Sequence, residues 1–128
     1  MNSEDNPLAW VGKAEEDYAM ARTSLRRKQP IPYCACFHAQ QCAEKYLKAM
    51  LVARSKPFPK THDLIQLSGL CAQAGILVEI DNKRLNTLSD HAVRVRYPGA
   101  NPSVQDARAA LETAKAVRKF ARKFLNVK

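Results

Sequence analysis

Apolar residues recur at three- and four-residue steps in five stretches of the 128-residue chain, and no stretch keeps a convincing strand alternation. The first, from about Leu8 to Lys28, lines up Trp10, Ala14, Tyr18, Ala21 and Leu25 as one stripe. Pro7 suits its opening turn and Asn6 its cap, while Gln29-Pro30-Ile31-Pro32 forces extended backbone after it. The second, about Tyr33 to Arg54, sets Tyr33, Cys36, Phe37, Ala43, Leu47, Met50 and Leu51 on one side. Its other side holds His38, Gln41, Glu44, Lys45 and Lys48.

A basic, proline-interrupted loop, Ser55-Lys56-Pro57-Phe58-Pro59-Lys60, precedes a third helix, with Thr61 as the expected N-cap, Asp63 in the first turn and an end near Ala74. Gly75 is placed to close it. Ile76 to Ile80 is the one strand-like run, but without a partner strand its backbone would go unpaired, so it is read as a buried connection. A fourth helix, about Asn82 to Val95, turns Leu85, Leu88, Ala92 and Val95 inward. After Tyr97-Pro98-Gly99-Ala100-Asn101-Pro102, Ser103 opens a last helix to about Leu125. Its inward face is Val104, Ala107, Leu111, Ala114, Val117, Ala121, Phe124 and Leu125, and Arg108, Lys115, Arg118, Lys119 and Arg122 take the remainder. Connections this short predict an all-α, up-and-down bundle of about five helices with no sheet, in one domain over 1–128.

Composition narrows the chemistry. At 46% hydrophobic and 26% charged the chain is ordinary globular material, and 4 Gly are too few for a turn-dense β-sandwich. Neither GxGxxG nor GxxxxGK[ST] occurs, so no glycine-rich phosphate loop is present. Met1-Asn2-Ser3-Glu4-Asp5 is polar and acidic, unlike a secretory leader, and the uncharged run Gln29 to Ala43 is broken by prolines and glutamines. The expectation is a cytoplasmic protein with no membrane span. Cys34, Cys36, Cys42 and Cys71 form no CxxC, and Cys34 and Cys36 point about 200° apart on a helix, which predicts reduced thiols, no metal and no cofactor.

The net charge is +9 and unevenly spread, with 10 basic and 7 acidic residues through Leu64 and 11 and 5 after it. The surplus in the second half points to an anionic partner there, or to a solubilising surface.

Three ordered motifs are more specific. The second helix reads Cys36-Phe37-His38-Ala39-Gln40-Gln41-Cys42-Ala43-Glu44-Lys45-Tyr46-Leu47-Lys48-Ala49-Met50-Leu51; then come Lys60-Thr61-His62-Asp63-Leu64 and Arg96-Tyr97-Pro98. The combination resembles the HEPN family (higher eukaryotes and prokaryotes nucleotide-binding), whose second helix is FHAQQAAEKxLKAxL-like, with a KTHDL-like third-helix start and an RYP turn before the last helix. The likeness runs over nearly the whole chain. It implies an all-α bundle, generally a homodimer, that binds a nucleotide or RNA and often works beside a minimal nucleotidyltransferase in a toxin–antitoxin-like pair.

Candidate binding residues follow from the motifs. His38, Gln41, Lys45 and Lys48 form a line of donors on the second helix, suited to phosphate or carboxylate, or equally a solvated or dimer-facing surface with a Glu44–Lys48 pair. Lys60 and His62 sit by a helix N-terminus, where an anion is favoured unless Asp63 supplies the charge internally. Arg94, Arg96 and Tyr97 combine cations with an aromatic for backbone contact and base stacking, or for packing on the bundle end. Ribonucleases of the family use an Arg, four to six intervening residues and a His, the His moving a proton and the Arg stabilising the phosphate. Arg84 and His91 meet that spacing, but they stand two turns apart, about 10 Å of rise. They also precede the Arg-Tyr-Pro turn, and no His follows it. The leading expectation is therefore a binding protein rather than an enzyme, with a metal-independent ribonuclease using Arg84 and His91 as the alternative. A non-catalytic structural interaction module is the third reading.

Overall fold

A computed structural model describes residues 2–94, 98, 99 and 101–128, with 92–94 described by backbone alone, and these residues form five α-helices and no strand. After a short 3₁₀ turn at Ser3–Asp5 come α1 (Pro7–Arg26), α2 (Pro32–Ala53), α3 (Leu64–Gln73), α4 (Asn82–Arg94) and α5 (Val104–Phe124). No helix among them is long and apolar enough to cross a membrane.

The ends of the helices follow local chemistry. Asn6 caps α1 through its side chain, accepting from the Leu8 amide, with Pro7 in the first position. Ser103 and Asp106 complete a reciprocal capping box on α5. Three helices terminate alike: Ser55 (φ 55°), Gly75 (φ 82°) and Asn126 (φ 57°) enter the left-handed region, and the next amide reaches back to Leu51, Cys71 and Arg122 carbonyls respectively. Gly75 takes that conformation without the Cβ penalty that Ser55 and Asn126 bear.

Helix α2 is the centre of the architecture, packing against α1, α3, α4 and α5. Alanines make the close approaches: Ala14 and Ala21 on α1, Ala35, Ala39, Ala43 and Ala49 on α2, and Ala107, Ala114 and Ala121 on α5 are all buried. Tyr46, Leu47, Met50, Leu51, Leu64, Leu67, Leu85, Leu88 and Val117 fill the space between.

Three expectations need correction. Tyr33, placed inward by its spacing, is 53% exposed, because it lies in the first turn of α2 before the neighbouring helices close over it. Thr61 is not the N-cap of α3: Asp63 is, its carboxylate accepting from the Ile65 and Gln66 amides, while Thr61 Oγ1 accepts from the Asp63 amide. Nor is α2 a two-faced surface helix, since its polar side is covered as well as its apolar one. The 76–80 connection is buried only at Ile76 and Ile80, and Leu77 stands out at 71% exposure. Ala92 as a core side chain and Val95 lie outside the described residues.

Candidate functional site

The line of donors on α2 is brought together, but against carboxylates of the same chain. Asp17 is buried on α1, and its two oxygens take His38 Nδ1 at 2.9 Å and Lys45 Nζ at 2.5 Å. An ionised Asp17 can only accept, so Nδ1 is the His38 nitrogen that donates in this hydrogen bond.

One turn along α2 a second cluster is more deeply enclosed. Lys48, 7% exposed, donates to Glu44 Oε2 at 2.9 Å, and its ammonium lies 5.8 Å from the Trp10 ring centre and 5.5 Å from that of Phe58. The two rings meet edge to face at 5.9 Å, so the cation sits between aromatic faces and a carboxylate. Glu44 Oε1 accepts from His62 Nδ1 at 2.8 Å and from Gln40 Nε2 at 3.3 Å. Gln40, fully buried, also donates to the His62 carbonyl at 2.9 Å and accepts from Gln41 Nε2 at 2.8 Å. Ser89 on α4 receives the Leu64 amide, closing the α3 start against α4. The Gln-Gln and Lys-Thr-His-Asp motifs are thus one hydrogen-bonded unit that anchors the 55–63 loop to α2.

The α3 N-terminus is filled by Asp63, as described above. His62 keeps a side chain 62% exposed despite its bond to Glu44, and Lys60 is exposed on the loop.

Between α4 and α5 lies a cleft of about 360 Å³ lined by Lys83, Arg84, Thr87, Glu112 and Thr113 among others. Arg84 Nε donates to Thr113 Oγ1 at 3.3 Å, which steadies the guanidinium while its two terminal nitrogens stay available. His91 lies on the same helix, close enough to Asp106 to help hold that carboxyl below its usual range, although the capping bonds from Ser103 are the larger cause. Arg84 is thus bonded to Thr113 on α5, and His91 lies near the α5 cap. The side chain of Arg94, and Arg96 and Tyr97 entirely, lie outside the described residues.

A third carboxylate ties the bundle. Glu15 receives both Arg118 Nε (2.7 Å) and Arg118 Nη2 (2.8 Å), together with the Tyr46 hydroxyl, and Arg122 Nη1 donates to that hydroxyl at 3.2 Å. The Arg118 hydrogen bonds hold the Glu15 carboxyl below its ordinary range against the opposing effect of burial. Burial, and then the Glu15 bond, push the Tyr46 hydroxyl well up, so it stays a donor. The three buried thiols are equally inert: burial raises Cys36 to about 12, Cys71 to about 11 and Cys42 further. Among the described residues no group of three His, Cys, Asp or Glu side chains is arranged to hold a metal ion.

Asp17, Gln40 and Glu15 are polar residues absent from the candidate set, and Glu44 entered it only as the partner of Lys48, a pair that the structure contains. A signal existed for Asp17. It stands three residues after Ala14 and four before Ala21, inside the α1 apolar stripe, where a carboxylate must find buried cations. Glu44 similarly sits three before Leu47 and seven before Leu51.

The HEPN domain family model matches residues 8–124, from the start of α1 to the last residue of α5. The fold is similar to the crystal structure of TT1696 from Thermus thermophilus, with a TM-score of 0.74 and 25% identity over 91% of this chain and 96% of that one. No curated protein matches the chain. With the family match spanning all five helices, the chain belongs to the HEPN family.

Proposed function

We propose that the protein is a nucleotide- or RNA-binding HEPN domain that acts as a homodimer beside a minimal nucleotidyltransferase, and that it takes phosphate on the α4–α5 side rather than along α2. One observation carries this reading. The α2 cations are each paired with a carboxylate of the same chain, whereas Lys83, Arg84, Arg108 and Lys115 are exposed and, among the described residues, have no carboxylate at ion-pair distance. Arg84, steadied by Thr113, supplies a fork for two phosphate oxygens, and the lysines supply point charges. The half of the chain that carries these residues is also the half with the larger basic surplus. Dimerisation and the nucleotidyltransferase partner rest on family membership alone.

The test is fluorescence anisotropy of the purified protein with labelled single-stranded RNA and with labelled ATP across a salt series. Binding through four cations gives a slope of about −3 in log affinity against log salt for a single strand. The combined change Lys83→Glu and Lys115→Glu flattens that slope, while Lys60→Glu leaves it in place. No binding to either probe at low salt rejects the proposal. Running the RNA arm in EDTA with Arg84→Ala and His91→Ala decides the enzyme question: cleavage lost in both variants assigns a metal-independent ribonuclease instead.

A further inference from the structure

The other end of α5 carries a surface of different character. A groove of about 580 Å³ runs between α5 and the 76–80 connection, floored by Ile80, Ala116, Phe120 and Phe124 and rimmed by Lys119 and Lys123, with Glu79 its one acid. We infer that this groove docks an acidic amphipathic helix of another protein.

The floor has the form such a helix needs. Ala116, Phe120 and Phe124 follow at i, i+4 and i+8, about 12 Å along α5, and the small residue at one end lets a partner backbone come close. All three are only partly buried, so ring surface remains to be covered. Aromatic rings in a partly enclosed pocket are the usual anchors of a protein interface.

The rim names the sign of the partner. Lys119 and Lys123 stand over one wall, and Arg54 stacks on Phe124 with its guanidinium 5.0 Å from the ring centre while donating to the Ala74 carbonyl at 3.4 Å. Three cations around an apolar floor complement a leucine-type stripe flanked by Asp and Glu. A second copy of this chain is the wrong occupant: a two-fold contact at the groove would bring two Lys119–Lys123 rims together between chains that each carry a net charge of +9. A nucleic-acid strand is also a poor fit, since its phosphates would meet the lysines and leave Phe120 and Phe124 wet.

The inference is independent of the phosphate site and is tested with its own probe. A fluorescein-labelled amphipathic peptide, leucines at i, i+3, i+4 and i+7 with glutamates on the flanking positions, is titrated into the full chain beside a twin carrying lysines for the glutamates. The glutamate peptide binds, with amide shifts confined to Ile80, Ala116, Phe120 and their neighbours, and the lysine peptide does not. In Lys119→Glu/Lys123→Glu the preference inverts, the glutamate peptide losing about tenfold or more in affinity and the lysine peptide gaining it. Ala116→Arg blocks both peptides, with the melting temperature showing that the bundle is intact. Lys83→Glu, which weakens RNA binding, leaves peptide binding unchanged. Equal binding of the two peptides, shifts elsewhere, or no binding overturns the inference. A dimer turned to monomer by Ala116→Arg also overturns it, by giving the groove to a second copy.

Discussion

The α1–α2 seam and the α4–α5 side carry similar numbers of cations and treat them in opposite ways. At the seam His38 and Lys45 close on Asp17, and Lys48 closes on Glu44 between Trp10 and Phe58. Near the α4–α5 cleft and along α5, Lys83, Arg84, Arg108 and Lys115 are exposed, and no carboxylate among the described residues stands at ion-pair distance from them. A charge enclosed beside its counter-charge has no field left for a ligand, whereas an exposed and uncompensated one has. Basic residues in a family motif can therefore be structural, and the less motif-like cations can be the ones that meet a partner.

The comparison breaks most readily at Glu44. Glu44→Gln leaves the Lys48 ammonium enclosed without its anion, and the expected loss is about 3 kcal/mol in urea unfolding. Adding Lys48→Met removes the orphaned charge and restores most of that loss, because an apolar chain suits the space between Trp10 and Phe58. If Glu44→Gln alone is neutral, the seam is not an enclosed ion pair and the contrast between the two regions falls.

Glu15 tests the same idea at a partly exposed site. Its two bonds to Arg118 are good, but a third of the Glu15 side chain and more than a quarter of Arg118 remain open to solvent, so Glu15→Gln costs only about 1 kcal/mol. The pH dependence has a definite sign. The folded-state value lies below the ordinary 4.5, so the contribution is complete above about that pH and is lost as pH falls through the depressed value. Melting temperatures of wild type and Glu15→Gln, followed from neutral pH into acid, should differ at the top of the range and converge at the bottom.

The fold was largely legible because burial on helices leaves a period. All five helices, the Asn6 and Ser103 caps and the Gly75 terminus follow from spacing and from residue types with one physical use. The site was legible only in composition. Periodicity assigns polar residues to the outside, so it placed Glu44 and Lys48 on an open face, and nothing local shows that α2 is surrounded by α1, α3, α4 and α5. The partners of Asp17 are 21 and 28 residues away and those of Glu15 up to 107, and such pairings exist only once the helices have packed. At α3 the difficulty was the reverse: Thr61 and Asp63 are both good caps, and the choice fell to Asp63 because its carboxylate reaches two amides.

The smallest expected change in stability sharpens the comparison most. Lys83→Glu and Lys115→Glu alter exposed side chains without ion-pair partners among the described residues, so each shifts unfolding by less than about 0.5 kcal/mol. The sign at low salt is toward greater stability, since each reversal relieves repulsion within a chain of net charge +9, and the gain fades as salt rises. Urea unfolding at two ionic strengths measures it. A loss of several kcal/mol would mean that these cations hold the bundle together as Lys48 does. A negligible or slightly favourable effect leaves them dispensable to the fold, which is the condition for a residue kept to meet a polyanion.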